Sequence, residues 1–379
     1  MYCGLILTMI KISVLYANRY KSHHDMFPLR VYKKKLSSLN IKVLFFNYLN
    51  KETLSSDVII ISSYRANECF NNFAKKNNIN ISNNNYLPII ELIKNLGISI
   101  IWFDTSDTTG ISFPNFLDNV NVYLKQQILK KTTDTDNLYY DYFYRKYFNN
   151  YWKTERDKLQ VDCKQVKKAY SKVTLGWNMA FSDWKIHGKN RMLRSFNIIF
   201  PSLTNNINFY RKPLIERQKR TWFLGENKGH MINDYHRKLL INVIGEYNKK
   251  HNIINYEYES ISYKKYNKLL KETAVVPSPF GLGEICYRDF EILFSGCVMI
   301  KPNMNHLKTW PNIYRPMETY IPCKWDFSDL EEKINWVFKN ISKAQEIASS
   351  GQNLVEHILQ KDNNFTHRFK NIIESALRC

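Results

Sequence analysis

A chain of 379 residues is too long for one ordinary hydrophobic core and points to two domains. Hydrophobic residues make up 44% of it, enough for globular packing, and the formal charge of +21 implies an anionic partner: nucleic acid, an anionic membrane surface or a phosphorylated substrate. The seven cysteines are odd in number, scattered and without a CxxC pair, which argues against a disulfide framework or a zinc site and for a reducing compartment.

The opening residues run straight into the strand-like Lys11-Ile-Ser-Val-Leu-Tyr16 and lack a basic leader, so no cleaved signal is expected, and Met9 is a plausible alternative start. Strand one is expected over Ile12 to Tyr16, a helix over Leu29 to Leu39, and strands over Ile41 to Phe46 and Asp57 to Ser62. An Asn-rich loop follows, then a helix from Pro88 to Leu96, a strand from Ile98 to Phe103 and a fifth strand from Val120 to Leu124 that runs into a helix over Lys125 to Lys131. Apolar runs alternating with helical segments predict a parallel sheet covered on both faces, with ligands at the C-terminal ends of its strands. That rim holds His23, His24, Asp25, Asp104 and Asp107. Asp104 and Asp107, set among Ser and Thr hydroxyls, are the expected general bases toward an acceptor, although capping of a following helix explains carboxylates there equally well.

Asp134-Thr-Asp136 has the form of a metal-holding DxD but follows a helix instead of a buried strand, and no metal is expected. From Asn137 to about Tyr170 the chain reads as an aromatic-rich helical segment, and Val173 to Arg194 as a crossover between domains 1–185 and 186–379. The second half repeats the pattern. A strand over Thr221 to Leu224 leads into the basic loop Gly225-Glu-Asn-Lys228-Gly229-His230, then a helix over Asn233 to Tyr247, a strand over Asn255 to Glu259 and a helix over Ser262 to Leu270. Helices over Asp329 to Asn340, Ser342 to Leu359 and Phe365 to Leu377 close the chain, the last of them able to pack back on the first domain.

The most informative stretch lies between. Ala274 to Val276 and Val298 to Ile300 read as buried strands, and between them a helix opens near Gly283 and closes at Ser295-Gly296. A glycine loop between a strand and a helix N-terminus suits a phosphate, and Arg288 and Glu291 share one helix face. The segments Ser278-Pro-Phe-Gly281-Leu-Gly283-Glu284, Arg288-Asp-Phe-Glu291 and Ser295-Gly-Cys-Val-Met-Ile-Lys-Pro302 together resemble the donor site of GT-B glycosyltransferases, with bacterial group 1 and exostosin-like enzymes the most similar groups.

The resemblance implies an α/β fold of two Rossmann-like doubly wound domains facing across a cleft. It implies transfer of a sugar from a nucleotide-sugar to an acceptor hydroxyl in surface glycan or polysaccharide biosynthesis; no cofactor is expected, and without a convincing DxD no metal either. Glu291 would hold the ribose hydroxyls, Gly281 and Gly283 would let the backbone approach the pyrophosphate, and Arg288 and Lys228 would counter its charge, with His230, Ser278 and Glu284 completing the donor site. Glu284 follows the Phe-Gly pair and lies one residue nearer the second glutamate than in the paired-glutamate motif, so retaining chemistry is not implied. The acceptor would be a glycan or a lipid-linked one, and the basic surface could hold a cytoplasmic enzyme at the inner face of an anionic membrane. The competing reading is a basic nucleic-acid-binding or scaffolding protein; short runs such as Lys33-Lys-Lys35, with no zinc-finger spacing or arginine-rich arm, weigh against nucleic acid.

Overall fold

The computed structural model describes residues 9–16, 25–81, 85–107, 109–130, 173–184, 207, 209–224, 231–251, 256–257, 261–281, 283–361 and 364–378. The described residues form two compact units: one from residues 9–130, 173–184 and the closing helix, the other from residues 207–361.

In the first unit the strands are β1 (Ile10–Leu15), β2 (Ile41–Phe46), β3 (Val58–Ser62), β4 (Ser99–Asp104), β5 (Val122–Lys125), β6 (Gln127–Leu129) and β7 (Val173–Leu175). All but β6 form one parallel sheet in the order β2-β1-β3-β4-β5-β7. Apolar character explains the arrangement: every residue of β3, Val58-Ile-Ile-Ile-Ser62, is buried, as a strand covered on both faces requires. Helices α1 (Phe27–Val31), α2 (Lys33–Ser37), α3 (Ala66–Lys76) and α4 (Leu87–Asn95) accompany the sheet. Phe70, Tyr86, Ile90, Ile93, Trp102 and Phe116 pack into its main core, each such side chain contributing roughly 1.5–3 kcal/mol by leaving water.

The second unit contains β8 (Lys219–Thr221), β9 (Phe223–Leu224), α5 (Met231–Lys250), β10 (Tyr256–Glu257), α6 (Tyr263–Glu272), β11 (Thr273–Pro277), α7 (Tyr287–Phe294), β12 (Val298–Pro302), β13 (Leu307–Thr309), β14 (Ile321–Cys323), α8 (Leu330–Lys339) and α9 (Ile341–Lys361). Its parallel sheet has the order β14-β12-β11-β8, and β9 pairs with β10. Ile244, Val275, Val298, Ile300, Phe327, Ile334 and Ile347 form the core. The closing helix α10 (Asn364–Arg378) belongs to the first unit, where Phe365 packs on Trp177 and Phe181.

Three expectations need correction. Lys125 to Lys131 does not start a helix: Lys125 through Leu129 are all buried, which leaves no polar face for an amphipathic helix, and Gln127–Leu129 is a strand. The stretch before Pro88, read as a loop, contains the eleven-residue α3, whose Ala66, Cys69, Phe70 and Ala74 share a buried face among Asn and Lys residues. Val173–Leu175, taken for part of a crossover, is the edge strand of the six-stranded sheet. Asn137 to Tyr170, with Asp134 and Asp136, lies outside the described residues, as do His23, His24, Lys228 and His230.

Candidate active site

The site grows from the end of β11. Ser278 follows the strand, its amide bonded to the Ile300 carbonyl at 2.8 Å, so the chain leaves the sheet in register with β12. Phe280, fully buried, anchors the next turn. Its amide donates to His236 Nδ1 at 3.2 Å, and His236 Nε2 meets the Trp325 carbonyl at 2.9 Å. An amide donor on one ring nitrogen and a carbonyl on the other define a neutral imidazole protonated at Nε2. Burial pushes its pKa down to about 3, with the Lys301 and Arg237 charges adding to the effect against the Trp325 hydrogen bond.

The loop then tightens. The Gly281 amide reaches the Gly283 carbonyl at 2.9 Å, and a Cβ on Gly281 would stand 3.0 Å from Cys286 Sγ, so a side chain there would press on the loop's far limb. Helix α7 starts at Tyr287, later than the expected opening near Gly283, because Cys286 and Asp289 form a capping box: the Cys286 amide donates to Asp289 Oδ2 at 3.0 Å while the Cys286 side chain receives the Asp289 amide. The helix ends as expected, with Gly296 at φ +63.

Asp289, which the sequence reading passed over, is the hub that holds this loop. Its buried carboxylate accepts the Ser278 hydroxyl at 2.5 Å and the Tyr314 hydroxyl at 2.6 Å, and pairs with buried Lys301 at 3.1 Å. One side chain thus ties the end of β11, the first turn of α7, β12 and the Tyr314 loop together. The Lys301 ammonium also lies over the Phe280 ring, 5.3 Å from its centroid. A signal was present in the sequence: Asp at the third position of a helix is a capping pattern, and lysine inside the apolar strand Val298-Met-Ile-Lys301-Pro302 needs a buried counter-charge.

Two groups of functional character surround the hub. The first is cationic. Burial raises the Cys286 thiol pKa, helped by the Asp289 charge and opposed by those of Lys301, Arg288 and Arg237, so three cations and one carboxylate bear on the loop at the N-terminus of α7. Arg237, from the first turns of α5, is a second site residue that the expected donor set omitted. The second group surrounds Glu291, one turn beyond Arg288 on the same helix. Tyr266 on α6 donates its hydroxyl to Glu291 Oε2 at 2.8 Å and hydrogen-bonds Arg288, and its ring packs beside Trp222 at 5.6 Å. Arg288, Glu291 and Tyr266 are all partly exposed, and burial of the phenol, reinforced by the Glu291 charge, raises the Tyr266 pKa well above the ordinary tyrosine value.

Of the expected donor residues, Ser278, Gly281, Gly283, Glu284, Arg288 and Glu291 therefore lie on one loop and one helix. Ser278 serves the loop through Asp289, so its hydroxyl is already committed. Glu284 is fully buried, with its carboxylate 4.0 Å from His306 Nε2.

In the first unit the expected base Asp104 takes a structural place. Its buried carboxylate receives the Ser106 amide at 3.0 Å, the Ser112 amide at 2.9 Å and the Tyr123 hydroxyl at 2.7 Å, and pairs with Lys125 at 3.3 Å. Burial alone would raise its pKa, but the Lys125 charge and these hydrogen bonds outweigh that and hold it below the ordinary value. A buried, saturated, weakly basic carboxylate is suited to pinning the loop after β4 and unsuited to taking a proton from an acceptor. Asp107 is half-buried in the same loop, its carbonyl receiving Gln127 Nε2 at 2.6 Å. Asp25 is buried too, bonded to Ser62 at 2.5 Å, and its carbonyl takes the Trp177 indole at 2.6 Å. Among the described residues no cluster of His, Cys, Asp and Glu fits a metal ion, and no helix is long and apolar enough to cross a membrane.

The model of the family described as Glycosyl transferase family 90 matches residues 281–376, a stretch that begins in the glycine loop and includes Arg288, Asp289 and Glu291. Among solved structures the chain is similar to an alpha-glucosyltransferase in complex with UDP-glucose and DNA containing an abasic site (10% identity, 96% of this chain and 98% of that one, TM-score 0.44). It is also similar to HepE from Anabaena in complex with UDP-glucose (8%, 97% and 100%, 0.42) and to an alpha1,3-fucosyltransferase (10%, 98% and 90%, 0.41). These three likenesses are loose, and the family match, over a quarter of the chain, is the one that coincides with the site. The resemblance to glycosyltransferases read from Ser278 to Pro302 is borne out, and family 90 is the family to which that part of the chain is similar.

Proposed function

We propose that the protein transfers a sugar from a nucleotide-sugar to an acceptor hydroxyl, using the loop of residues 278–286 and helix α7 as its donor site. The observation that carries this is the coincidence of the family match with Arg288 and Glu291 one turn apart at a cation-rich helix N-terminus. The Glu291 carboxylate can accept both hydroxyls of a ribose diol. Arg237, Arg288 and the positive end of α7 suit the charge of a diphosphate.

In the reaction the acceptor oxygen forms a bond to the anomeric carbon, the bond from that carbon to the diphosphate oxygen breaks, and the leaving diphosphate keeps the electron pair. The two arginines stabilise the charge that grows on it, so the reading is metal-independent. The acceptor's proton goes to a base, and Asp107 is our assignment now that Asp104 is committed to the fold. The charge of +21 supports a lipid-linked acceptor at an anionic membrane, as in surface glycan synthesis.

A donor panel of UDP-, GDP-, ADP-, CMP- and dTDP-sugars, assayed for nucleotide release with a chelator present, tests this. One donor should be consumed, and Arg237→Ala and Arg288→Ala should each slow the step about a hundredfold or more. Release that needs an added divalent ion would overturn metal independence, and no release from any donor would overturn the transfer itself.

A further inference from the structure

The two functional ends of α7 are joined by a residue from another helix. Tyr266 receives a hydrogen bond from the Arg288 guanidinium, which can only donate, and gives its own proton to Glu291 Oε2 at 2.8 Å. The chain of donors therefore runs one way, from the cation through the phenol to the carboxylate. The ring is fixed from behind by buried Trp222, 5.6 Å away, and Tyr263, one turn earlier on α6, stacks on it at 6.4 Å. Helix α6 in turn is held by its Ser262 cap and by Leu270 in the core. Arg288 and Glu291 are both partly exposed, and a shared partner held by packing restricts their rotamers.

We propose that Tyr266 is a positioning residue for nucleotide binding, holding Glu291 toward the ribose diol. The proposal rests on the donor-site reading above and extends it to a residue outside the matched segment. A bare carboxylate and guanidinium three residues apart on one helix would otherwise tend to pair with each other, and an Arg288–Glu291 contact would withdraw both from a ligand. The phenol gives the Glu291 carboxylate a partner other than Arg288.

The test is a set of calorimetric titrations with the nucleoside diphosphate that binds best and with its 2′,3′-dideoxy analogue. Tyr266→Phe keeps the ring on Trp222 and removes only the hydroxyl. It should weaken the nucleoside diphosphate about ten- to a hundredfold, the range expected for a lost hydrogen bond to a charged group, and leave the dideoxy analogue much less affected. In a Glu291→Ala background the same substitution should have little further effect on the diphosphate, because the groups act as one unit. Equal weakening of both ligands, additive losses in the double variant, or an unchanged affinity would each overturn the positioning role. If Glu291→Ala itself leaves affinity unchanged, the donor-site reading fails instead, so the two failures are distinguishable. A melting temperature for Tyr266→Phe close to that of the parent chain confirms that the comparison is between folded proteins.

Discussion

At the scale of single residues, the candidate site depends on two buried groups committed to each other. Lys301 and Asp289 form a fully buried ion pair, and removing one partner leaves the other without compensation in a low-dielectric interior. Lys301→Met should destabilise the second unit by about 3–5 kcal/mol, measured by urea unfolding. A loss below about 1 kcal/mol would show that the hub is not what holds the loop. His236 makes a pH-dependent contribution whose sign follows from its depressed pKa. The folded chain keeps the imidazole neutral down to about 3, whereas the unfolded chain takes up a proton near 6.5. The contribution is therefore complete above about pH 6.5 and declines as pH falls toward 3. The stability difference between the parent chain and His236→Asn should shrink between about pH 7 and about pH 4; a constant difference would contradict a neutral clamp on Phe280. Glu291 and Arg288 stood out in the sequence because they share a helix face within a recognisable motif. Asp289 and Arg237 were not, since one sits between the motif residues and the other reaches the loop from a different helix. Asp104 shows the opposite limit: a carboxylate after a strand reads alike whether it awaits a ligand or is neutralised by a lysine twenty-one residues later in sequence.

At the scale of elements, α7 is where sequence and structure agree best at one end and least at the other. Its C-terminus was legible because Gly296 is required by geometry: φ is +63, and a Cβ would stand 2.5 Å from the Tyr210 carbonyl. The buried Arg217 guanidinium reinforces that end by donating to the carbonyls of Ser295 and Gly296, each at 2.9 Å. Gly296→Ala should therefore cost about 2 kcal/mol or more, combining left-handed strain with the clash, and lower the melting temperature accordingly. A neutral substitution would mean that the turn can relax. The N-terminus was misplaced because cysteine is an unusual cap, and only the reciprocal bonds with Asp289 reveal it. The expected helix over Lys125 to Lys131 failed for a different reason: local periodicity cannot report that both faces of a short segment are buried.

At the scale of the whole molecule, two parallel α/β units were legible because strands such as Val58–Ser62 and Val298–Pro302 are mostly apolar, buried along their length, and end at turn residues. The return of the last helix to the first unit was expected too, but its partners Trp177 and Phe181 were not, since a long-range contact between aromatic residues is not encoded in sequence spacing. The charge of +21 belongs to this scale as well. Sedimentation with vesicles containing roughly a third anionic phospholipid should capture the protein at low salt and release it by about 0.5 M salt, where the screening length falls to a few ångströms. Capture by duplex oligonucleotides and not by vesicles would move the acceptor to nucleic acid.

The central claim is that the loop of residues 278–286 and α7 hold a sugar nucleotide, and thermal unfolding in the presence of UDP, GDP, ADP, CMP and dTDP tests it most directly. One nucleotide should raise the melting temperature in a concentration-dependent manner, and Glu291→Ala should abolish that rise while leaving the unliganded melting temperature close to the parent value. Stabilisation by none of the five, or stabilisation that survives Glu291→Ala unchanged, would contradict the account.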